Sequence, residues 1–255
     1  MARILAHDRA LTLVAIVLAA ALAWAYLARM AAEMGDFASG MDGLLGHPML
    51  YLWNLRVLLL MLAMWAIMMA GMMLPGAAPT ILLFATIATR QRAAGHASPF
   101  ALVFGAGYLA AWAAFSVVCT FAQWELQELF AAQALSPRQS IWLGAAILIA
   151  AGLYQWSPLK RRCLTHCRSP LEFLSRHWPR TQAAAVRLGA HHGLYCIGCC
   201  WLAMALLSVG GVMNFLWAAA LAVLVLLEKA VPWGEWIARA AGIVFLAAGT
   251  WLLAM

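Results

Sequence analysis

The sequence predicts an all-α, polytopic membrane protein of about seven transmembrane helices, or about six. Three observations carry this. The chain is 66% hydrophobic and only 10% charged, with a mean hydropathy of +0.88. Its apolar residues come in runs of about 20, the length that crosses a hydrocarbon core of about 30 Å as a helix. No stretch shows the in–out alternation of a membrane barrel, and in lipid only helices or closed barrels satisfy every backbone group.

Residues 1–255 read as a single integral membrane domain. The first apolar segment, Ala10 to Met30, follows Arg3 and Arg9. It lacks the short apolar core and small-residue cleavage site of an export signal, so it reads as a retained helix. The second stays apolar from Tyr51 to Thr89, 39 residues. As one helix it would run about 58 Å, far beyond the bilayer core. Pro75 and Pro79, with Gly76 between them, are expected to break it, leaving a span to about Leu74 and a shorter inner helix. The remaining segments are Phe100–Gln123, Ser140–Trp156, Leu188–Val209, Met213–Leu227 and Trp236–Leu253. Trp53, Trp124, Trp156, Trp233 and Trp236 sit near segment ends, where an interfacial aromatic belt belongs.

The net charge of +7 does not point to nucleic acid, because the basic residues lie between the apolar segments. With the N-terminus in the cytoplasm, Arg3, Arg9, Arg90, Arg92, Lys160, Arg161, Arg162, Arg168, Arg176, Arg180, Arg187, Lys229 and Arg239 fall inside. Only Arg29, Arg56 and Arg138 fall outside. Thirteen of the 16 basic residues on one side set the N-terminus in and the C-terminus out. The basic connection at about 157–187 carries Leu171, Phe173, Leu174 and Trp178. It reads either as an amphipathic helix on the inner leaflet or as a solvated loop that sets topology.

The chemistry concentrates in His191-His192-Gly193-Leu194-Tyr195-Cys196-Ile197-Gly198-Cys199-Cys200-Trp201-Leu202-Ala203-Met204. Residues three and four apart share a helix face, so His192, Cys196, Cys199 and Cys200 form one patch. His191 flanks it and Met204 follows one turn on. Cysteines in membranes also serve as small packing residues. Three thiols and an imidazole on one face favour a metal instead: thiolate, imidazole and thioether are a soft set suited to Cu(I), with zinc the alternative. The start of the fifth helix and its basic neighbours favour thiolate.

On the second segment Met61, Met64, Met68 and Met72 recur on one face, with Met69 and Met73 beside it. Such a stripe is either core filler or a thioether surface for Cu(I). In the predicted topology Met68 and Met72 lie at the depth of the cysteine patch, and either is expected to face Cys196 or Cys200. Cys163, His166 and Cys167 in the basic connection are expected to accept an ion before it reaches the membrane patch, or else to be incidental loop residues. Glu228 is expected to pair with Lys229, or to act as an added ligand or proton acceptor. His7, His47, His96 and His177 read as loop residues. Absent P-loop and hydrolase motifs point away from an ATP-driven pump and from an enzyme.

Several segments together resemble a bacterial family of predicted metal-binding integral membrane proteins, a domain of unknown function with a CxGCCW motif. They are Met64-Trp65…Met68…Met72-Met73-Leu74-Pro75, Tyr154-Gln155…Pro158-Leu159-Lys160…Cys163…Cys167-Arg168-Ser169-Pro170, Cys196…Cys199-Cys200-Trp201…Met204 and Gly211…Met213-Asn214…Trp217…Glu228-Lys229. The resemblance runs from about Leu50 onward. It implies a multi-pass inner-membrane protein with a metal site and no established reaction. Some relatives carry a methionine where this chain has Ala218.

The sequence therefore reads as an inner-membrane protein that binds a soft metal, copper first, for transport or for delivery to a membrane metalloenzyme. Its partners would be the bilayer, the ion, and a metallochaperone or metalloenzyme. The rivals are a membrane thiol–disulfide oxidoreductase using the CxxC pair and a non-catalytic accessory subunit.

Overall fold

The computed structural model describes residues 2–35, 54–91, 98–131, 137–176, 178–179, 181–212 and 214–254. Among the described residues all regular structure is helical, as the sequence predicts. In chain order the helices are α1 (Ala2–Gly35), α2 (Leu55–Gln91), α3 (Ser98–Ala131), α4 (Pro137–Gln155), α5 (Pro158–Arg168), α6 (Pro170–Arg176), α7 (Gln182–Ala205), α8 (Phe215–Ala230) and α9 (Gly234–Ala254), with a 3-10 turn at Leu206–Ser208.

Helices α1, α2, α3, α7 and α9 hold stretches long and apolar enough to cross a membrane; α4 and α5, bent by 63° to one another, supply a sixth if they form one broken span. The predicted seventh crossing is not established. Helix α8, on the segment Met213–Leu227, has only 16 residues, short of the roughly 20 that a bilayer asks for. His7 lies within α1 and not in a loop. His47, His96 and His177 fall outside the described residues, as does Trp53.

The second segment is not broken. Helix α2 runs through Pro75 and Pro79 without interruption. A proline inside a helix lacks the N–H that would bond the carbonyl four residues back. For Pro75 that carbonyl belongs to Gly71, and the indole Nε1 of Trp24 on α1 donates to it at 3.2 Å. A donor from a neighbouring helix thus replaces the lost bond, which is how prolines are tolerated at membrane depth.

The basic connection is helical over much of its length. It folds into α5 and α6, which pack on the protein. Ser157 caps α5, its Oγ accepting from Lys160 N at 3.1 Å, and Pro158 takes the first helical position. Helix α5 buries Lys160, Cys163 and Leu164, while Arg161, Arg162, Thr165 and His166 stay exposed. Phe173 and Leu174 are buried in the core; of the four apolar residues read as membrane-facing only Leu171 is exposed. Trp178 stacks on Phe84 of α2, centroids 5.1 Å apart.

The bundle is built from neighbour pairs: α1 on α2, α2 on α3, α3 on α7, and α4 on α9. Helix α5 lies along α7, and α8 bridges α2, α5 and α9. The α3–α7 contact is close because glycines line it. A Cβ on Gly193 would stand 2.7 Å from Ala111 Cβ and 3.1 Å from Tyr108 O, and one on Gly189 or Gly107 would collide with the facing backbone. Small residues at a crossing let helix backbones approach. Leu11, Val14, Val17, Leu18 and Leu22 leave the outer face of α1 apolar and exposed, and Trp156, Trp233 and Trp236 are exposed near helix ends.

Candidate metal centre

The periodicity of α7 places its chemistry as the sequence predicts: His192, Cys196, Cys199, Cys200 and Met204 are all buried on one side. Cys199 and Cys200 both turn their thiols to the carbonyl of Cys196, at 3.1 and 2.9 Å. These bonds within one helix gather three sulfurs into a small volume.

Helix α5 brings two more. Cys167 lies next to the Cys196 and Cys199 thiols. The sulfur of Cys163 sits 2.9 Å from where a Cβ on Gly198 would stand, so Gly198 is the gap in α7 that admits it. Five of the six cysteines therefore come from two helices into one cluster, and all are free thiols. Cys163 and Cys167, expected to accept an ion before the membrane patch, lie beside the α7 thiols. They are part of the same group, because α5 folds back along α7. Cys119 lies apart, on α3.

Met73 adjoins the cysteines, its Sδ 3.9 Å from Cys200 Sγ. Helices α2 and α7 meet little along their length, and α3 packs on both of them. From α3, the hydroxyl of Tyr108 donates to Met73 O at 3.1 Å and lies 3.0 Å from Cys196 Sγ. Tyr154 of α4 donates its hydroxyl to the carbonyl of Gly198, tying α4 to the same turn of α7.

Composition and spacing did not mark out Lys229 as a site residue. Its ammonium reaches from α8 to Cys196 Sγ at 2.9 Å and to Met73 Sδ at 3.8 Å. Gly76 makes room for the stem, since a Cβ there would stand 3.2 Å from Lys229 Cδ. Lys229 is half-buried; an ammonium withdrawn from water is costly without a counter-charge, and a thiol and a thioether adjoin this one. The signal available beforehand was a basic residue inside an apolar segment, a default mark of function in membranes. Glu228 does not pair with Lys229, because successive helical residues point about 100° apart. Glu228 takes Lys160 of α5 at 2.7 Å, both side chains nearly inaccessible, and accepts from Gln155 Nε2 at 3.1 Å.

His192 stands one turn before Cys196 in an aromatic box of Phe104, Tyr108 and Phe173, with centroids 6.1, 5.8 and 5.4 Å away. Its Nδ1 is buried and has no hydrogen-bond partner. His191 is exposed and packs on Tyr195, which also stacks on the ring of His166 at 4.3 Å. Met64 and Met68 are buried but line a different part of the bundle.

As the side chains stand, no three His, Cys, Asp or Glu among the described residues are grouped to hold one metal ion. The cluster is a set of soft donors whose thiols now point at one another and at a carbonyl.

The fold and the cluster define a multi-helix protein of membrane type with thiols, a thioether and a lysine ammonium gathered in its interior. Over residues 62–252 the chain matches the model of the family described as a copper chaperone, PpoB2. It belongs to that family, and its role is copper-related. No curated protein and no solved structure matches it.

Proposed function

We propose that the protein carries Cu(I) as cargo in the cluster of Cys163, Cys167, Cys196, Cys199 and Cys200 and delivers it to a metalloenzyme in the bacterial inner membrane. The observation that carries this reading is Lys229 Nζ, 2.9 Å from Cys196 Sγ at the centre of the thiols. Thiolates and thioethers select Cu(I) over the harder divalent ions. Cu(I) between two thiolates bears one net negative charge, and the Lys229 ammonium neutralises it inside the apolar bundle. Met73 offers a neutral third sulfur, and the unpartnered Nδ1 of His192 a nitrogen one turn away. Because five thiols share one volume, the ion passes between ligand pairs by exchange, one thiolate arriving as another leaves. Exposed His166 and His191 mark the outer side of α5 and α7, next to the path by which an ion would come or go. The basic asymmetry of the connections supports a cytoplasmic N-terminus and a periplasmic C-terminus.

The test is metal analysis of the full-length protein purified under reducing conditions. The wild type is expected to retain Cu(I), and a Cys196/Cys199/Cys200→Ser variant to lose at least one equivalent. Equal copper in the two proteins overturns the reading.

A further inference from the structure

The methionines of α2 divide between two places. Met73 adjoins the cysteines, whereas Met64 and Met68 face a small apolar cavity between α1, α2 and α8. Met30 of α1 lines the same cavity, together with Trp24, Leu27 and Phe215. Three thioethers from two helices thus share one recess. Met64 and Met68 are each 1% exposed. The aromatic wall is fixed: Trp24 is held by its bond to Gly71 O at 3.2 Å and meets Phe215 edge-on at 5.4 Å. From Met64 to Met73 the helix rises about 13 Å, so one ion cannot occupy both places.

We infer that this cavity is a second Cu(I) site, built from the thioethers of Met30, Met64 and Met68 and separate from the cysteine cluster. The inference rests on Cu(I) being the cargo. Thioethers are neutral, soft and polarisable, so they accept Cu(I) and give little to zinc or magnesium. A Cu(I) ion held by three of them keeps its positive charge, and the aromatic rings of Trp24 and Phe215 line the same recess. No thiolate is present to hold the ion tightly, so this site exchanges more readily than the cluster. Buried Met69 and Met72 continue the sulfur line along α2 toward Met73. The protein then has a weak neutral site and a strong charged one on the same helix, a short transfer apart.

The experiment titrates detergent-purified full-length protein with Ag(I), a soft monovalent stand-in for Cu(I), and counts retained ions by mass spectrometry. It compares the wild type, a Met30/Met64/Met68→Leu variant, a variant with all six cysteines changed to Ser, and the combination. Leucine keeps the apolar volume of methionine, so the bundle tolerates the exchange. The methionine variant is expected to lose one equivalent from the wild type. The cysteine-free protein is expected to keep one, with an all-sulfur shell by X-ray absorption, and the combined variant none. If the methionine variant retains as much silver as the wild type, the second site is overturned while the cysteine cluster stands. An acyl chain that co-purifies in the recess, with no ion bound by the cysteine-free protein, overturns it too. If the wild type retains no silver at all, the copper-cargo reading itself fails.

Discussion

Lys229 shows how one side chain turns a group of thiols into a charge-balanced cavity. Its partners come from 33 residues away at Cys196 and 156 at Met73. Without the ammonium, a Cu(I) bis-thiolate would leave an uncompensated negative charge among apolar helices. Charge-assisted hydrogen bonds contribute about 1.5–3 kcal/mol, so Lys229→Met is expected to weaken Cu(I) binding by roughly 10- to 150-fold. Competition against a chromophoric Cu(I) chelator measures this. Stability of the metal-free variant is expected to hold, because methionine fills the lysine's volume and a neutral Cys196 needs no counter-charge. Unchanged Cu(I) affinity in Lys229→Met would refute the charge-balancing role. His192 belongs to the same level of description: its spacing to Cys196 follows from the helix period, whereas its unpartnered Nδ1 follows from the aromatic rings around it.

The helices matter through the glycines that decide how closely they cross. Gly193 puts α7 against Ala111 and Tyr108 of α3, and this closeness sets the Tyr108 hydroxyl beside Cys196. Gly193→Ala is expected to push the two helices apart and destabilise the fold by about 1–3 kcal/mol, the usual cost of overpacking. Gly105 on the same α3 helix has nothing within 4 Å of its would-be Cβ, so Gly105→Ala serves as the control and should be neutral or better, given alanine's helix preference. Thermal unfolding in detergent reads both variants. Equal melting temperatures for the two would show that the α3–α7 contact is less tight than its geometry. Helix α2 makes the complementary point. Local rules predict a break at Pro75, and the helix continues because Trp24, 47 residues away, supplies the donor that Gly71 O lacks.

The bundle as a whole is latched where α4, α5 and α8 meet. Lys160, Glu228 and Gln155 form a buried polar group, and Arg168 donates to the carbonyls of Val231 and Pro232 just beyond α8. These bonds hold α5, and with it Cys163 and Cys167, over α7. Removing one partner of a buried ion pair leaves the other charge stranded, at about 3–5 kcal/mol. Lys160→Met is therefore expected to loosen α5, lower stability by that order and speed maleimide labelling of Cys163. Adding Glu228→Gln removes the stranded charge and should restore most of the loss. If the double variant is no more stable than Lys160→Met alone, the pair is not what holds α5 in place.

The order of helices, the buried face of α7 and the burial of the methionine stripe all follow from properties that a short window of sequence carries. Apolar run length marks a span, and a 3.6-residue period puts His192, Cys196, Cys199 and Cys200 on one side whatever lies opposite. Which groups lie opposite depends on packing between distant segments. Met73 reaches Cys200 from α2 although α2 and α7 meet little along their length, α3 packing on both. Cys163 and Cys167 join the cluster because α5 folds back against Gly198, where a basic composition alone suggests a loop. Glu228 chooses Lys160 over its chain neighbour because adjacent helical side chains diverge while helices α5 and α8 converge. A helix's period fixes its own faces; the partner of each face is set by close approach between helices, which here is decided by single glycines and by bonds that join residues dozens of positions apart.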